Sequence, residues 1–133
     1  MQIAGGPHPY NSHANDAVRS YILSRITDIA ELHNNVHVAD DIRTNATWYA
    51  GGGVYFEGNN ILVKIDGKQP ELEAVLFSAH FDSVSTAPGA TDDGMAVSTL
   101  IQLVGYFAEN TPKRTVIFNI NNGEEDGLHG AHV

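Results

Sequence analysis

Apolar side chains recur one helical turn apart in two segments of the chain, and this spacing predicts two α-helices. We expect the first helix over residues 15–32, with a side-chain oxygen of Ser12 or Asn15 at its N-cap. We expect the second over residues 93–108, with Pro112 just beyond it as a stop. The apolar positions are Val18, Tyr21, Ile22, Ile26, Ile29 and Leu32 in the first segment, and Ala96, Leu100, Leu103, Val104 and Phe107 in the second.

Shorter apolar runs predict the strands. Residues 36–42 alternate weakly between apolar and polar and are expected to form one strand. The runs at residues 54–56 and 61–65, with a Glu-Gly-Asn-Asn sequence between them, are typical of a β-hairpin. Residues 74–79 and 116–120 are almost continuously apolar, which predicts strands buried on both faces, the first of them central in the sheet.

The second predicted helix connects the two buried strands. A strand, helix, strand order is a crossover unit, and such units place their two strands parallel to each other. The sequence therefore predicts an α/β fold. The carboxyl ends of parallel strands meet at one edge of a sheet, where ligands bind. Because an acidic cluster follows each of these strands, we expect the functional site at that edge.

The composition narrows the chemistry. The chain has 133 residues, 42% of them hydrophobic and 17% charged, which fits one folded domain. Its net charge of −9 disfavours nucleic acid and anionic membranes as partners, because both are bound mainly through Lys and Arg. The absence of cysteine leaves histidine and carboxylates as metal ligands. Without a bilayer-length apolar run or a recognisable signal peptide, the chain is expected to be soluble as given.

Three polar clusters follow the predicted strands or open the second helix. His80 and Asp82 come after the first buried strand and are two apart, so in an extended chain they point to the same side. Two aspartates occupy residues 92–93 in the turn before the helix, and three acids occupy residues 124–126 after the second buried strand. Taken singly, the first cluster is typical of a hydrogen-bonded polar pair, the second of a helix cap, and the third of a solvated turn.

Taken together, the clusters predict a divalent-metal site. One histidine and six carboxylates converge on one sheet edge, and no Lys or Arg lies nearby in the sequence to neutralise them. Crowded carboxylates require protons or cations. Imidazole with carboxylates suits zinc or another borderline metal better than calcium. Two adjacent glutamates also allow one to bind metal while the other accepts a proton from the attacking water.

The same segments resemble a known enzyme family. Residues 78–83, 89–97 and 122–131 are similar to the site segments of the co-catalytic di-zinc exopeptidases related to bacterial secreted leucyl aminopeptidases. Residues 7–16 resemble the start of the peptidase domain in the branch of vacuolar membrane proteases and endoplasmic-reticulum metallopeptidases. The resemblance implies a three-layer α/β sandwich around a mixed, largely parallel sheet with helices on both faces. It also implies that residues 1–133 are the N-terminal portion of a zinc metallopeptidase domain.

Carried over residue by residue, the resemblance implies a role for each residue of the site. His80 would bind one zinc, Glu125 would bind a second zinc, and the carboxylate of Asp92 would bridge the two. Glu124 would be the general base and acid. Asp82 would hydrogen-bond His80 and so assist catalysis without binding metal.

The resemblance also predicts a cis peptide bond and an incomplete site. The bond between residues 92 and 93 is expected to be cis, because the bridging carboxylate must face both metals while the chain turns into the helix. The two remaining ligands of the family, an Asp and a His, lie downstream of the Glu-Glu pair and have no counterpart in the 133 residues. We therefore expect the chain alone to lack appreciable peptidase activity, to bind zinc weakly, and either to be marginally stable or to self-associate through exposed strand edges.

The resemblance further implies a peptide substrate and a location. The domain would face the lumen of the vacuole or endoplasmic reticulum, with its membrane anchor outside this segment, and a glycosylation sequon at Asn45 is consistent with that. Two alternative functions stay open. One is a non-catalytic binding or scaffold domain of the same fold, and the other is a single-zinc enzyme that cyclises amino-terminal glutamine.

Overall fold

The computed structural model describes residues 3–49 and 53–132, which contain two α-helices and six strands. Both predicted helices are present, and α1 begins earlier than predicted because Ser12 is its N-cap and accepts the backbone N–H of Asn15 at 3.1 Å. The elements are α1 (His13–Ala30), β1 (Val36–Asp40), β2 (Asn45–Tyr49), β3 (Gly53–Glu57), β4 (Ile61–Ile65), β5 (Val75–His80), α2 (Met95–Glu109) and β6 (Val116–Asn121).

Four strands form the main sheet in the order β1-β4-β6-β5, and β2 with β3 forms a separate two-stranded sheet. β5 and β6 are parallel and are joined by α2, so the predicted crossover unit is confirmed. β4 runs antiparallel to both β1 and β6. The α/β class and the mixed sheet are therefore confirmed, whereas the described sheet is mostly antiparallel rather than largely parallel.

The predicted hairpin is wrong. β3 pairs with β2, while β4 pairs with β1 and β6. The connection between β3 and β4 is held by partners far along the chain, since the N–H of Gly58 donates to the carbonyl of Thr44 at 2.6 Å and Arg19 Nε donates to the carbonyl of Asn59 at 2.7 Å. The connection therefore passes from the small sheet to the main sheet, and these bonds stabilise it there in place of a hairpin turn.

The core lies on one face of the main sheet. Side chains alternate along β4, where Ile61, Val63 and Ile65 are fully buried and Lys64 is exposed. Both helices contribute to the same buried cluster, so among the described residues they lie on one face of the sheet, and the helix layer on the other face stays a prediction for the intact domain. The helix residues in this cluster are Val18, Ile22 and Ile26 of α1 and Val97, Leu100, Val104 and Ala108 of α2.

The other face of the sheet is open within residues 3–49 and 53–132. Leu76 of β5 is 63% exposed, and its registered neighbour Ile117 on β6 is partly exposed. The prediction that β5 is central and buried on both faces is therefore wrong for the described chain, because β5 lies at the sheet edge with one apolar face uncovered. No described helix combines the length and the apolarity needed to cross a membrane.

Candidate metal centre

The candidate centre lies at the carboxyl ends of the parallel strands β5 and β6. His80 is the last residue of β5 and is in register with Asn121, the last residue of β6. His80 is buried, with only 8% of its surface exposed. The acidic turn that follows β6 therefore begins directly beside this imidazole.

Asp82 joins the two strand ends. One oxygen of its buried carboxylate accepts the backbone N–H of Glu124 at 3.1 Å, and the other accepts that of Glu125 at 3.0 Å. The Nδ1 atom of His80 lies 3.1 Å from the backbone oxygen of Asp82 and 3.5 Å from its carboxylate. Burial raises the pKa of Asp82, but these hydrogen bonds outweigh burial and hold the pKa below its usual value. Asp82 therefore stays ionised and fixes both sides of the site.

The other nitrogen of His80 faces two carboxylates. His80 Nε2 lies 3.1 Å from Asp92 Oδ1 and 3.8 Å from Glu124 Oε2. Burial lowers the pKa of His80, but the hydrogen bonds and charges of Asp82, Asp92 and Glu124 together raise it to about 9. The metal-free imidazole is therefore protonated at neutral pH, and a cation that binds there must displace that proton.

Asp92 is presented by the turn Ala90–Gly94, which leads into α2. Gly89 precedes this turn with a φ of 61°, and a Cβ atom there would lie 2.9 Å from the backbone oxygen of Asp92 and from Ser83 Cβ. The peptide bond between Asp92 and Asp93 is cis, as predicted. The side chain of Asp92 is 80% exposed, so its carboxylate is open to a ligand although it touches His80.

Glu124 and Glu125 lie on a turn bounded by two glycines with positive φ. Gly123 has a φ of 72° and Gly127 a φ of 123°, conformations that L side chains rarely adopt. A Cβ atom on Gly123 would come within 2.9 Å of the ring of Phe56, so the turn packs tightly against the small sheet. The glycines thus allow the acidic turn to approach the sheet edge closely.

The structure brings together a set of metal-ligating side chains. His80, Glu124 and Glu125 each offer a ligand atom, and these atoms lie within 4.8 Å of one another. Burial and the negative charges of Asp92 and Glu124 raise the pKa of Glu125, which indicates an excess of negative charge. Within the described ranges, the ion pairs of Lys and Arg are made elsewhere, with acids on α1, on β1 and just after β4.

This donor set fits the predicted metal. An imidazole combined with carboxylates, without cysteine, is a ligand set that zinc accepts. All the predicted site residues converge at one sheet edge, and Asp82 lies beside His80, with its backbone oxygen closer to Nδ1 than its carboxylate is. Which glutamate binds metal and which moves a proton stays a prediction, since both reach the cluster.

The sequence analysis missed the buried asparagines beneath the site. Asn121 ends β6 and Asn122 follows it, and they are 4% and 0% exposed. Asn122 exchanges two amide hydrogen bonds, of 3.0 and 2.8 Å, with Asn15 on α1. The available signal was an Asn-Asn pair directly after an apolar strand, where polar side chains must find partners. Nothing in the sequence indicated that the partner of Asn122 would be Asn15, which lies far away along the chain.

The chain matches a known protein family over the segment that contains the candidate centre. The sequence model of peptidase family M28 matches residues 60–133, which contain every predicted site residue. The chain belongs to peptidase family M28. The resemblance to aminopeptidase-type metallopeptidases is thereby confirmed.

One curated relative shows how much of a longer protein the chain corresponds to. The chain is 64% identical to the "Vacuolar membrane protease" of Laccaria bicolor, and the match covers 98% of this chain and 13% of the relative. The chain therefore spans a small part of that relative's length.

Solved structures share the fold of this M28 chain. A Zn-dependent exopeptidase from Parabacteroides distasonis superposes with a TM-score of 0.68 and 23% identity over 92% of this chain and 43% of that chain. The glutaminyl cyclase of Macrostomum lignano superposes with a TM-score of 0.67 and 19% identity over 92% of this chain and 35% of that chain. At these identities the likeness establishes the fold alone.

Proposed function

We propose that the full-length gene product is a zinc-dependent peptidase that hydrolyses the amino-terminal peptide bond of its substrates. The convergence of His80, Glu124 and Glu125 within 4.8 Å, with Asp92 alongside, carries this proposal. Membership of peptidase family M28 and the fold shared with a Zn-dependent exopeptidase support it. The proposed location is the lumenal side of a vacuolar or endoplasmic-reticulum membrane protein, and the name of the relative supports the vacuolar membrane.

In this proposal the residues of the site divide the work. His80 and Glu125 would each hold one of two zincs, and the carboxylate of Asp92 would be shared between the two ions. Bound zinc supplies Lewis-acid activation of the peptide carbonyl and of water. Glu124 accepts a proton from the attacking water and returns it to the amine that leaves. Asp82 contacts Nδ1 of His80 and so keeps the imidazole oriented with Nε2 towards the other carboxylates of the site.

The activity is proposed for the full-length product and not for the 133 residues alone. One zinc would be held by His80 and Asp92, and the other by Asp92 and Glu125. Catalytic zinc usually has three protein ligands and one open position. We infer that an Asp and a His from sequence outside this chain complete the two sites.

The surface beside the cluster favours uncharged side chains in the substrate. A concavity of about 400 Å³ adjoins Asp92 and Glu125, and its lining contains no Lys or Arg. Acidic side chains are disfavoured there because the named lining residues offer no cation to pair with a carboxylate removed from water. We therefore expect an apolar residue at the amino terminus of preferred peptides. The rest of the lining is largely apolar and consists of Val84, Ala87, Pro88, Gly89, Ala90 and Thr91.

Glycosylation of Asn45 belongs to the same proposal. Asn45 and Thr47 are exposed on β2, so the sequon is accessible on the small sheet. Treatment of the native protein with a peptide N-glycosidase should lower its mass and convert Asn45 to Asp. An unmodified Asn45 in the native protein would argue against exposure of this domain to the lumen.

Hydrolysis assays test the proposed function directly. The zinc-loaded full-length product should release nitroaniline from leucyl-nitroanilide faster than from glutamyl-nitroanilide. Glu124→Gln should lower kcat by about 10² to 10⁴-fold, whereas Glu109→Gln, an exposed change at the end of α2, should not. The 133-residue chain should show neither tight zinc binding nor turnover.

Other outcomes would favour the alternatives. Conversion of an amino-terminal glutaminyl peptide to its pyroglutamyl form, without hydrolysis of the nitroanilides, would favour the cyclase. A full-length product that neither binds zinc nor turns over either substrate would favour the scaffold domain. Full activity and tight binding of two zincs by the 133-residue chain would show that it needs no further ligands.

A further inference from the structure

Two residues, His8 and Asn15, here called the N-terminal clamp, contact both loops that carry the candidate metal centre. They lie outside residues 60–133, to which the family assignment applies. They contribute none of the predicted ligands. The clamp nevertheless touches the chain immediately after Asp82 and immediately before the acidic turn of Glu124 and Glu125.

The first contact is with Ser83, which follows Asp82. The N–H of His8 donates to Ser83 Oγ at 2.8 Å, and the N–H of Ser83 donates to the carbonyl of His8 at 3.3 Å. Both residues are nearly inaccessible, with His8 2% and Ser83 1% exposed. The reciprocal pair therefore fixes the backbone beside Asp82.

The second contact is with Asn122, two residues before Glu124. Asn15 Nδ2 donates to Asn122 Oδ1 at 3.0 Å, and Asn122 Nδ2 donates to Asn15 Oδ1 at 2.8 Å. Asn15 is 1% exposed and Asn122 is fully buried. The same Asn15 Nδ2 also lies 3.2 Å from the carbonyl of His8, which connects the second contact to the first.

Buried amide pairs constrain geometry more than apolar contacts do. Their hydrogen bonds are directional, and a displaced partner leaves a buried polar group unsatisfied. The position of Asn122 is further restricted by Asn60 Oδ1, which accepts its N–H at 3.2 Å, and by Asn59 Oδ1, which accepts from its side chain at 2.7 Å. The acidic turn therefore cannot shift without breaking several of these bonds.

We propose that the N-terminal clamp fixes the position of the loop after β5 relative to the loop after β6, and that Asn15 and Asn122 are positioning residues for Glu124 and Glu125. This inference rests on the proposed function for its kinetic consequence. The competing explanation is that residues 8–15 merely start α1. Ser12 separates the two explanations, because Ser12 Oγ caps α1 by accepting the N–H of Asn15 and, among the described residues, hydrogen-bonds neither loop.

The experiment compares Asn15→Ala with Ser12→Ala in the zinc-loaded full-length product. Asn15→Ala should lower kcat by about 10 to 100-fold with little change in KM, because a small displacement of the general base affects the chemical step. It should also weaken zinc binding, measured by chelator competition, by about 10-fold. Ser12→Ala should lower the thermal midpoint but leave kcat, KM and zinc affinity unchanged.

A third readout does not depend on zinc or turnover. In the metal-free protein, hydrogen exchange at the N–H groups of Glu124 and Glu125, which donate to Asp82, should be faster in Asn15→Ala than in Ser12→Ala. If Asn15→Ala does not fold, Asn15→Asp replaces it, since it keeps the side-chain shape but removes the amide donor to Asn122.

The outcomes separate this inference from the proposed function. Equal effects of the Asn15 and Ser12 variants on kcat, zinc affinity and hydrogen exchange would overturn the positioning role. A wild-type product that neither hydrolyses peptides nor binds zinc would overturn the proposed function. In that case faster exchange at the acidic turn would still support the clamp, and unchanged exchange would reject it.

Discussion

Asp82 accepts the backbone N–H of Glu125 at 3.0 Å, so a residue that follows β5 holds a residue that follows β6. The second oxygen of the same carboxylate accepts the adjacent N–H, that of Glu124, at 3.1 Å. A carboxylate with two amide donors is stabilised in its charged form even when buried. The shape of the acidic turn therefore depends on a charge that lies outside the proposed ligand set.

Removal of that carboxylate should destabilise the protein. Asp82→Ala leaves two partly buried N–H groups without their acceptor, and we expect the free energy of unfolding to fall by about 2 to 3 kcal/mol. Asp28→Ala is the matched control, because it removes an exposed carboxylate whose ion pair with Arg25 spans 3.5 Å and contributes about 0 to 1 kcal/mol. Urea denaturation of the metal-free protein measures both. Similar losses for the two variants would contradict the assigned role of Asp82.

Protonation of His80 should link metal binding to pH. The pKa of His80 is raised from 6.5 to about 9 in the metal-free fold, so its contribution to stability is complete below pH 6.5 and is lost as the pH rises through about 9. That contribution is about 3 kcal/mol. Zinc needs the neutral imidazole and must displace the proton. We therefore expect zinc binding to tighten as the pH rises from neutral towards 9.

Calorimetry in buffers of different ionisation enthalpy checks this prediction. At neutral pH, zinc binding to the full-length product should release a proton from His80. Zinc binding to the His80→Gln variant should therefore release fewer protons. His37→Gln is the control, because His37 is an exposed histidine that pairs with Asp66 at 2.6 Å outside the centre. Zinc binding with the same proton release in His80→Gln would exclude His80 as the source.

The parts of the fold that could be predicted are those encoded locally. Helical periodicity located α1 and α2, and the apolar runs located β5 and β6 with their parallel crossover. The site residues could be found because three acidic segments follow strand ends or open a helix. Their roles came from family resemblance and not from spacing.

The parts that could not be predicted depend on distant partners. β3 and β4 are neighbours in sequence, but Phe56 of β3 is buried against the acidic turn, and Ile61 of β4 pairs with Asp40 and Ile120. The pairing of Asn15 with Asn122 is likewise non-local. An apolar strand also does not reveal which of its faces is covered, and for this reason β5 was predicted to be central.

The turn that presents Asp92 should not tolerate a side chain at Gly89. Gly89→Ala would place a Cβ atom 2.9 Å from the backbone oxygen of Asp92 at a φ of 61°, so we expect a loss of about 1 to 2 kcal/mol in unfolding free energy. Gly6→Ala is the control, because no atom lies within 4 Å of its added Cβ. Chemical denaturation should show a loss for Gly89→Ala and little change for Gly6→Ala. Equal stability of the two variants would mean that the turn relaxes freely.

The open sheet face should make the 133-residue chain self-associate. Leu76 is 63% exposed on edge strand β5, beside the partly exposed Ile117, and no described residue covers this apolar surface. Burial of one leucine contributes about 1.5 to 3 kcal/mol, so Leu76→Lys should weaken association of the chain by about tenfold or more. Tyr106→Lys is the matched control, since Tyr106 is 58% exposed but lies on α2, away from the sheet. Sedimentation velocity over a range of concentrations should show association of the wild-type chain and of Tyr106→Lys, but a largely monomeric Leu76→Lys. A wild-type chain that stays monomeric at every concentration, or equal effects of the two lysines, would rule out this face as the contact.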